Sequence, residues 1–158
     1  QAVDKVETEQ LLHIIASKAA RVMNAQACSY MHLNQNTQAL TIAASFGLSN
    51  EIVLETYRAV GEGIAGKVAA TGVPLLISDQ QTDPRIYDVD LKPEIGSSMI
   101  VPLKSETGTV MGVFSIRRRR PAPDFSDDDL RLFSVFANQA ALILNNKQLY
   151  DGQKQRVF

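Results

Sequence analysis

Few residues in this chain could do covalent or metal chemistry, and their spacing keeps them apart. Cys28 is the only cysteine, and His13 and His32 are the only histidines. A lone thiol forms neither an internal disulfide nor a multi-thiolate zinc site, so catalysis by paired cysteines is excluded. Cys28 and His32 lie four apart on one expected strand. They share a face but are about 13 Å apart, too far for one metal or for a nucleophile and its base. Cys28 therefore reads as a small buried thiol.

Two other constellations invite phosphate chemistry. Gly61-Glu62-Gly63-Ile64-Ala65-Gly66 has the spacing of a dinucleotide-binding turn, and Asp83 stands near where a ribose-binding acid is sought. That chemistry needs a buried strand before the turn and a βαβ unit around it, whereas residues 57–60 are short and the next strands read as antiparallel. With Lys67 added, the stretch nearly spells a P-loop, and Leu75-Leu76-Ile77-Ser78-Asp79 resembles an apolar strand ending in a metal-binding acid. The match breaks at Val68, where a hydroxyl must hold Mg²⁺, and about ten intervening residues leave little room for a helix and crossover. The glycines read instead as backbone devices, Gly61 and Gly63 for positive φ and Gly66 for close helix packing. Arg117-Arg118-Arg119-Arg120 could grip phosphates. Asp124, Asp127, Asp128 and Asp129 follow closely, and no aromatic residues interleave, so the run reads as a solvated, locally neutralised strand end.

The elements that must position these residues fit one domain spanning 1–158. At 158 residues, 45% hydrophobic and 21% charged, the chain can bury a sizeable core and is neither disordered nor fibrous. A net charge of -1 lacks the surplus expected of a nucleic-acid binder. No apolar run approaches a membrane span, and no signal peptide opens the chain, so no membrane or nucleic-acid partner is expected and the setting reads as cytoplasmic. Helical spacing of Leu11, Leu12, Ile14, Ile15, Ala19, Val22 and Met23 predicts a helix over 6–25. Residues 28–33 and 39–46 flank the polar turn Asn34-Gln35-Asn36-Thr37-Gln38 and predict a hairpin. Asn50 is the expected cap of a short helix through Tyr57, and a second short helix runs from the glycines to Thr71-Gly72. A brief strand at 75–78, an irregular polar stretch at 79–95 and a second hairpin, 98–103 with 110–117, precede a long helix over about 127–153. Ser126 is its expected N-cap, with Asp129 at the capping-box position. Strands in hairpins with helices at the ends predict an α+β fold on an antiparallel sheet. The chain is expected to be a piece of a longer protein.

Taken in order, several short motifs carry a family resemblance: Ala44-Ser45-Phe46-Gly47, the glycine stretch through Ala69, Pro74-Leu75-Leu76-Ile77-Ser78-Asp79, Ser98-Met99-Ile100-Val101-Pro102-Leu103, Gly112-Val113-Phe114, and Phe125-Ser126 through Ala137-Asn138-Gln139-Ala140-Ala141. On these the chain resembles a GAF domain, the small sensory module of bacterial signalling proteins and phosphodiesterases. The resemblance implies a central antiparallel sheet of about six strands with the first and last helices on one face. On the other face, short helices and the irregular loop cover a small-molecule pocket. It leaves the ligand open, because family ligands include cyclic nucleotides, bilins, haem and small metabolites.

Departures from family patterns narrow the choice. Of the cyclic-nucleotide signature, Asn-Lys then Phe then Asp-Glu, the chain keeps Phe125 and Asp129 but has Arg in place of Asn-Lys and Leu130 in place of Glu. Covalent bilin is not expected, because Cys28 falls on the first strand rather than near the pocket helices. Haem is not expected either, since neither His13 nor His32 maps to the pocket covers. The methionine-sulfoxide-reducing branch uses several cysteines, and one thiol cannot form the resolving disulfide.

The reading is a non-catalytic regulatory module. It binds a small metabolite or nucleotide and signals through its terminal helices to a covalently linked output domain. A constitutive dimerisation module without ligand, and a cyclic-nucleotide-binding GAF domain, are the alternatives. The ligand is expected between the sheet and residues 79–95. There Arg85, within Asp83-Pro84-Arg85-Ile86-Tyr87, would take a carboxylate or phosphate, and Tyr87 would form a wall. Ile64, Ser78, Ser98 and Phe114 are further candidates, each turned away by a single slip in register. In the competing reading Arg85 pairs with a nearby Asp and Tyr87 plugs the core. A homodimer is expected through the terminal helices, because the last helix carries one apolar row, Leu130, Phe133, Ala137, Ala140 and Leu144, for the sheet. A second row, Leu132, Val135, Phe136, Gln139, Leu142 and Ile143, needs a partner.

Overall fold

The computed structural model describes residues 2–78 and 95–157, with side chains over 5–78 and 95–146. In chain order the elements are α1 (Ala2–Val22), β1 (Ala27–Asn34), β2 (Ala39–Phe46), α2 (Asn50–Glu55), β3 (Tyr57–Ala59), α3 (Gly63–Thr71), β4 (Leu75–Ile77), β5 (Ile95–Lys104), β6 (Val110–Arg119) and α4 (Asp127–Val157). The strands form one sheet in the order β3-β2-β1-β6-β5-β4. Each neighbouring pair runs antiparallel, which makes this the α+β architecture expected from the hairpins.

Local chemistry explains most boundaries. The first hairpin closes on Asn34, whose Oδ1 accepts from the amides of Asn36 at 2.9 Å and Thr37 at 3.1 Å. α4 opens on the expected box: the Asp129 amide donates to Ser126 Oγ at 3.2 Å, and the Ser126 amide donates to Asp129 Oδ2 at 2.9 Å. α1 ends earlier than its apolar spacing predicts. Asn24 takes φ 51°, and the Ala25 amide turns back to the Ala20 carbonyl at 2.8 Å.

Two expectations are corrected. The cap of α2 is Ser49, not Asn50, because Ser49 Oγ accepts the Ile52 amide at 3.2 Å. The helix also stops at Glu55, and Tyr57–Ala59 becomes an edge strand, with Leu40 opposite Arg58 and Ala39 opposite Ala59. A free sheet edge outcompeted one more helical turn. The second hairpin is longer than its apolar pattern, because the ladder continues through Ser97 opposite Arg118 to Ile95 opposite Arg119.

Alternation on the central strands divides the apolar residues into two cores. Cys28, Tyr30, Met99, Val101, Phe114 and Ile116 pack with Leu12, Ala16 and Ala19 of α1 and Phe133, Ala137 and Ala140 of α4. Phe114 stacks on Phe133 with centroids 5.0 Å apart, a contact worth about 1 kcal/mol beyond its buried area. On the other face Met31, Leu33, Leu40, Ile100 and Val113 pack with Val68 and Ala69 of α3. The terminal helices thus share one face and α3 covers the other. Among the described residues, no helix is long and apolar enough to cross a membrane.

The fully buried Tyr30 ring crosses β6 at Gly112, the cross-strand partner of His32. A Cβ there would come within 2.6 Å of Tyr30 Cε1 and strike the Met31 carbonyl oxygen. Gly112→Ala is therefore expected to lower stability by about 1–3 kcal/mol, read as a lower urea midpoint. An unchanged midpoint would show that Tyr30 repacks freely.

Candidate functional site

A cavity of about 360 Å³ lies between the sheet and the layer of α2 and α3. The local chain forces that layer into place. The Gly61 amide donates to the Gly66 carbonyl at 2.8 Å and the Gly66 amide to the Glu62 carbonyl at 3.0 Å, so the glycine turn closes onto the first turn of α3. Gly61 at φ 91° and Gly63 at φ 64° adopt the left-handed backbone the turn requires. A Cβ on Gly66 would strike the Ala59 carbonyl oxygen, so only glycine lets α3 lie against β3. That approach brings Ile64 and Ala65 to the cavity, beside Ile52 and Thr56 from α2 and its exit. Thr56 is already engaged, its hydroxyl donating to the Ile52 carbonyl at 2.6 Å.

The sheet wall is part apolar and part polar. Met31, Ile42 and Ile100 supply the apolar part, and Ser29, Ser98, Ser115 and Arg117 the polar part. Ser29 faces Ser115 across β1 and β6, and Ser98 faces Arg117 across β5 and β6, so the polar groups form one contiguous patch. Ser29 is 9% exposed and Ser98 8%. The Arg117 guanidinium is oriented by Nε donating to Gln26 Oε1 at 3.0 Å. Arg58, opposite Leu40 on the edge strand, also lines the cavity and donates through Nη1 to the Tyr57 carbonyl at 2.8 Å.

Of the residues expected at a ligand site, Ile64 and Ser98 line this cavity. Ser78 is exposed just beyond β4 and is not among its lining residues. Phe114 faces the opposite core, because the period of two on β6 turns Val113, Ser115 and Arg117 toward the cavity and Phe114 toward Phe133. Asp83, Arg85, Ile86 and Tyr87 lie outside the described residues. Ser29, Ser115, Arg58 and Arg117 also line the cavity, and residue spacing did not place them there. A serine flanked by apolar residues on each of two central strands is the signal that could have found the first two.

The arginine run divides by the same alternation. Arg117 reaches the cavity, whereas Arg118 crosses to the helix side and donates to the Met23 carbonyl through Nη2 at 2.6 Å and to the Pro123 carbonyl at 3.1 Å. Arg118 also lies 3.6 Å from Asp129 and 4.3 Å over the Phe125 ring. Neutralisation by a following acid is thus present at Arg118, but both side chains are half-buried rather than solvated. The histidines stay apart from the cavity. The Ser45 amide donates to His13 Nδ1 at 3.2 Å, and His32 Nδ1 lies 2.7 Å from the Tyr30 hydroxyl. Burial pushes the Cys28 thiol well up, which keeps it protonated and a poor nucleophile.

The sequence matches the family model described as GAF domain over residues 6–145. The chain belongs to the GAF domain family. It is 34% identical over 100 residues to the dual 3',5'-cyclic-AMP and -GMP phosphodiesterase 11A of Takifugu rubripes, a match covering 61% of this chain and 11% of that protein. It is 32% identical over 107 residues to the Nif-specific regulatory protein of Azospirillum lipoferum, covering 63% of this chain and 17% of that protein. This GAF domain therefore corresponds to a small part of those relatives. Among solved structures, it superimposes on the GAF domain of an Acinetobacter phosphoenolpyruvate-protein phosphotransferase with a TM-score of 0.77 at 21% identity, over 92% of this chain and 86% of that one. It also superimposes on a free methionine-R-sulfoxide reductase from Neisseria meningitidis with a TM-score of 0.71 at 18% identity, over 93% and 81%. Both likenesses show the fold.

Loss of hydration, with the Lys5 charge adding and Glu9 opposing, holds His32 below the ordinary histidine range although the residue is partly open to solvent. The unfolded chain then takes up a proton before the folded one as pH falls, so this histidine costs stability below about pH 6.5. The expected outcome is a urea midpoint that falls between about pH 7.5 and pH 5.5, with a shallower fall in His32→Gln. Equal slopes in parent and variant would remove His32 as the cause.

Proposed function

We propose that this GAF domain is a non-catalytic sensor that binds a small molecule between its sheet and α2 and α3, and passes the signal through α1 and α4 to a linked output domain. The observation that carries the reading is the cavity itself, partly polar and formed on strands whose opposite faces pack against both terminal helices. The linked output domain rests on the relatives, in which the matched segment is a small fraction of a longer chain. The non-catalytic part rests on the single buried thiol, which cannot supply a resolving partner. That thiol also suits a reducing, cytoplasmic setting.

A metabolite library that includes cyclic AMP, cyclic GMP and free methionine sulfoxide, read by thermal shift and native mass spectrometry, tests the sensor. At least one compound should raise the melting temperature and add its mass to the folded chain. No hit in either readout would favour a ligandless module, and turnover of methionine sulfoxide with a thiol reductant above a denatured control would overturn the non-catalytic reading. Retention of a cyclic nucleotide would favour the phosphodiesterase-like alternative.

The reading includes a homodimer through the terminal helices. Leu132, Val135 and Leu142 recur with coiled-coil spacing on α4 and are 42%, 53% and 63% exposed, while Leu11 and Ile14 on α1 are 47% and 50% exposed. Leu142→Glu should convert a dimer at tens of micromolar to a monomer by light scattering without lowering the melting temperature of the fold. A monomeric parent, or a dimeric variant, would count against this interface. Leu144 is no substitute for this test, because at 8% exposure it belongs to the core.

A further inference from the structure

Resting on the sensor reading, we propose that the cavity selects an aliphatic ligand, a saturated carbon chain seated against isoleucines, rather than a planar nucleobase. The wall itself is branched and saturated. Ile42 of β2, Ile52 of α2, Ile64 of α3 and Ile100 of β5 line it from four elements, with Met31 and Leu48 beside them. Among the described lining residues none is aromatic. Sites that hold nucleobases stack them on ring faces, and the described wall supplies no ring. An alkyl chain needs only close contact with methyl and methylene groups, which these side chains provide.

The polar groups beside that wall are already engaged within the chain. Thr56 donates to the Ile52 carbonyl, Arg58 to the Tyr57 carbonyl and Arg117 to Gln26 Oε1. Ser98 is partnered as well, and Arg117 has more than Gln26. Among the described residues no buried side-chain nitrogen or oxygen lacks a partner. Apolar surface is what stays uncovered: Ile42, Leu48, Ile52, Ile64 and Ala65 are only half-buried although they line the cavity. A ligand that covers them takes apolar area out of water, and the gain grows with that area.

The wall is also preset in shape, so it selects by length. Isoleucine is stiff at χ1, and α3 is held by the Gly61 amide on the Gly66 carbonyl. Little ordering is then left for the ligand to impose. At about 360 Å³ the cavity sits near the lower end of the range of about 300–1,000 Å³ for small-molecule sites, so an overlong chain must project from it.

Calorimetric titration of the full chain tests this with the straight-chain alkanols from propanol to decanol, and with adenosine, guanosine and their cyclic monophosphates. One alkanol should bind per chain, its affinity rising about threefold to fourfold per added methylene to a maximum and then levelling or falling. Ile42→Ala, which deepens the wall, should move that maximum to a longer alkanol, and Ala65→Leu should move it to a shorter one. If Ala65→Leu fails to fold, Ile42→Ala decides alone. Affinity that climbs through decanol with one profile in parent and variants reports adsorption on the surface and overturns the proposal. Absence of alkanol binding overturns it too, as does a nucleoside or cyclic nucleotide that binds more tightly than the best alkanol. The sensor reading stands in each of these cases if the metabolite library yields a planar or polar ligand, and falls with the proposal only if neither set binds.

Discussion

β1, β6 and β5 are buried on both faces, so each must present an apolar alternation to two cores in a single register. Because the side-chain period of a strand is two, a one-residue slip of β6 would carry Phe114 to the cavity and Ser115 into the helix core. Pairing of Tyr30 with Phe114 and of Val101 with Phe114 therefore sets both layers together. Gly112 belongs to the same constraint. Only the absence of a side chain there lets the Tyr30 ring span β6 while the strands stay in register.

The cavity arises where that alternation is broken by polar residues. Ser29, Ser98, Ser115 and Arg117 occupy positions on the α3-facing side where Met31, Ile100 and Val113 would otherwise continue an apolar wall. Each has an immediate chain neighbour in the other core: Ser29 lies between Cys28 and Tyr30, and Ser115 between Phe114 and Ile116. A displacement of the pleat at Ser115 would be felt one residue away by a ring stacked on α4. Close-packed interiors have little free volume to absorb such a shift.

Much of the fold was legible from pattern. Local signals act over a few residues, so the hairpin turn at Asn34, the box of Ser126 and Asp129, the roles of Gly61, Gly63 and Gly66, and the core-facing row of α4 follow from the sequence, whereas Phe136 and Ile143, expected to need a partner, pack against the core of the same chain. Elements whose stability comes from a distant partner were not legible. Tyr57–Ala59 has too few residues to declare a strand, and β2 supplies what it lacks. Candidate site residues followed the same division. Ile64 was placed by the turn just before it, whereas the orientation of Phe114 depends on the pairing of β6 with strands far away in sequence.

The residues by themselves determined the single thiol, the absence of surplus charge, the glycine turn that only glycines could close, and the order of hairpins and helices that defines the family. Tertiary structure alone decided which of four consecutive arginines reaches the cavity, and which serines from three strands meet beside it. The physical reason is that alternation states only which residues share a face. Which face looks toward α3, and what stands opposite on the next strand, is set by hydrogen-bonded register and by the packing of helices more than 60 residues apart, from Val68 of α3 to Phe133 of α4.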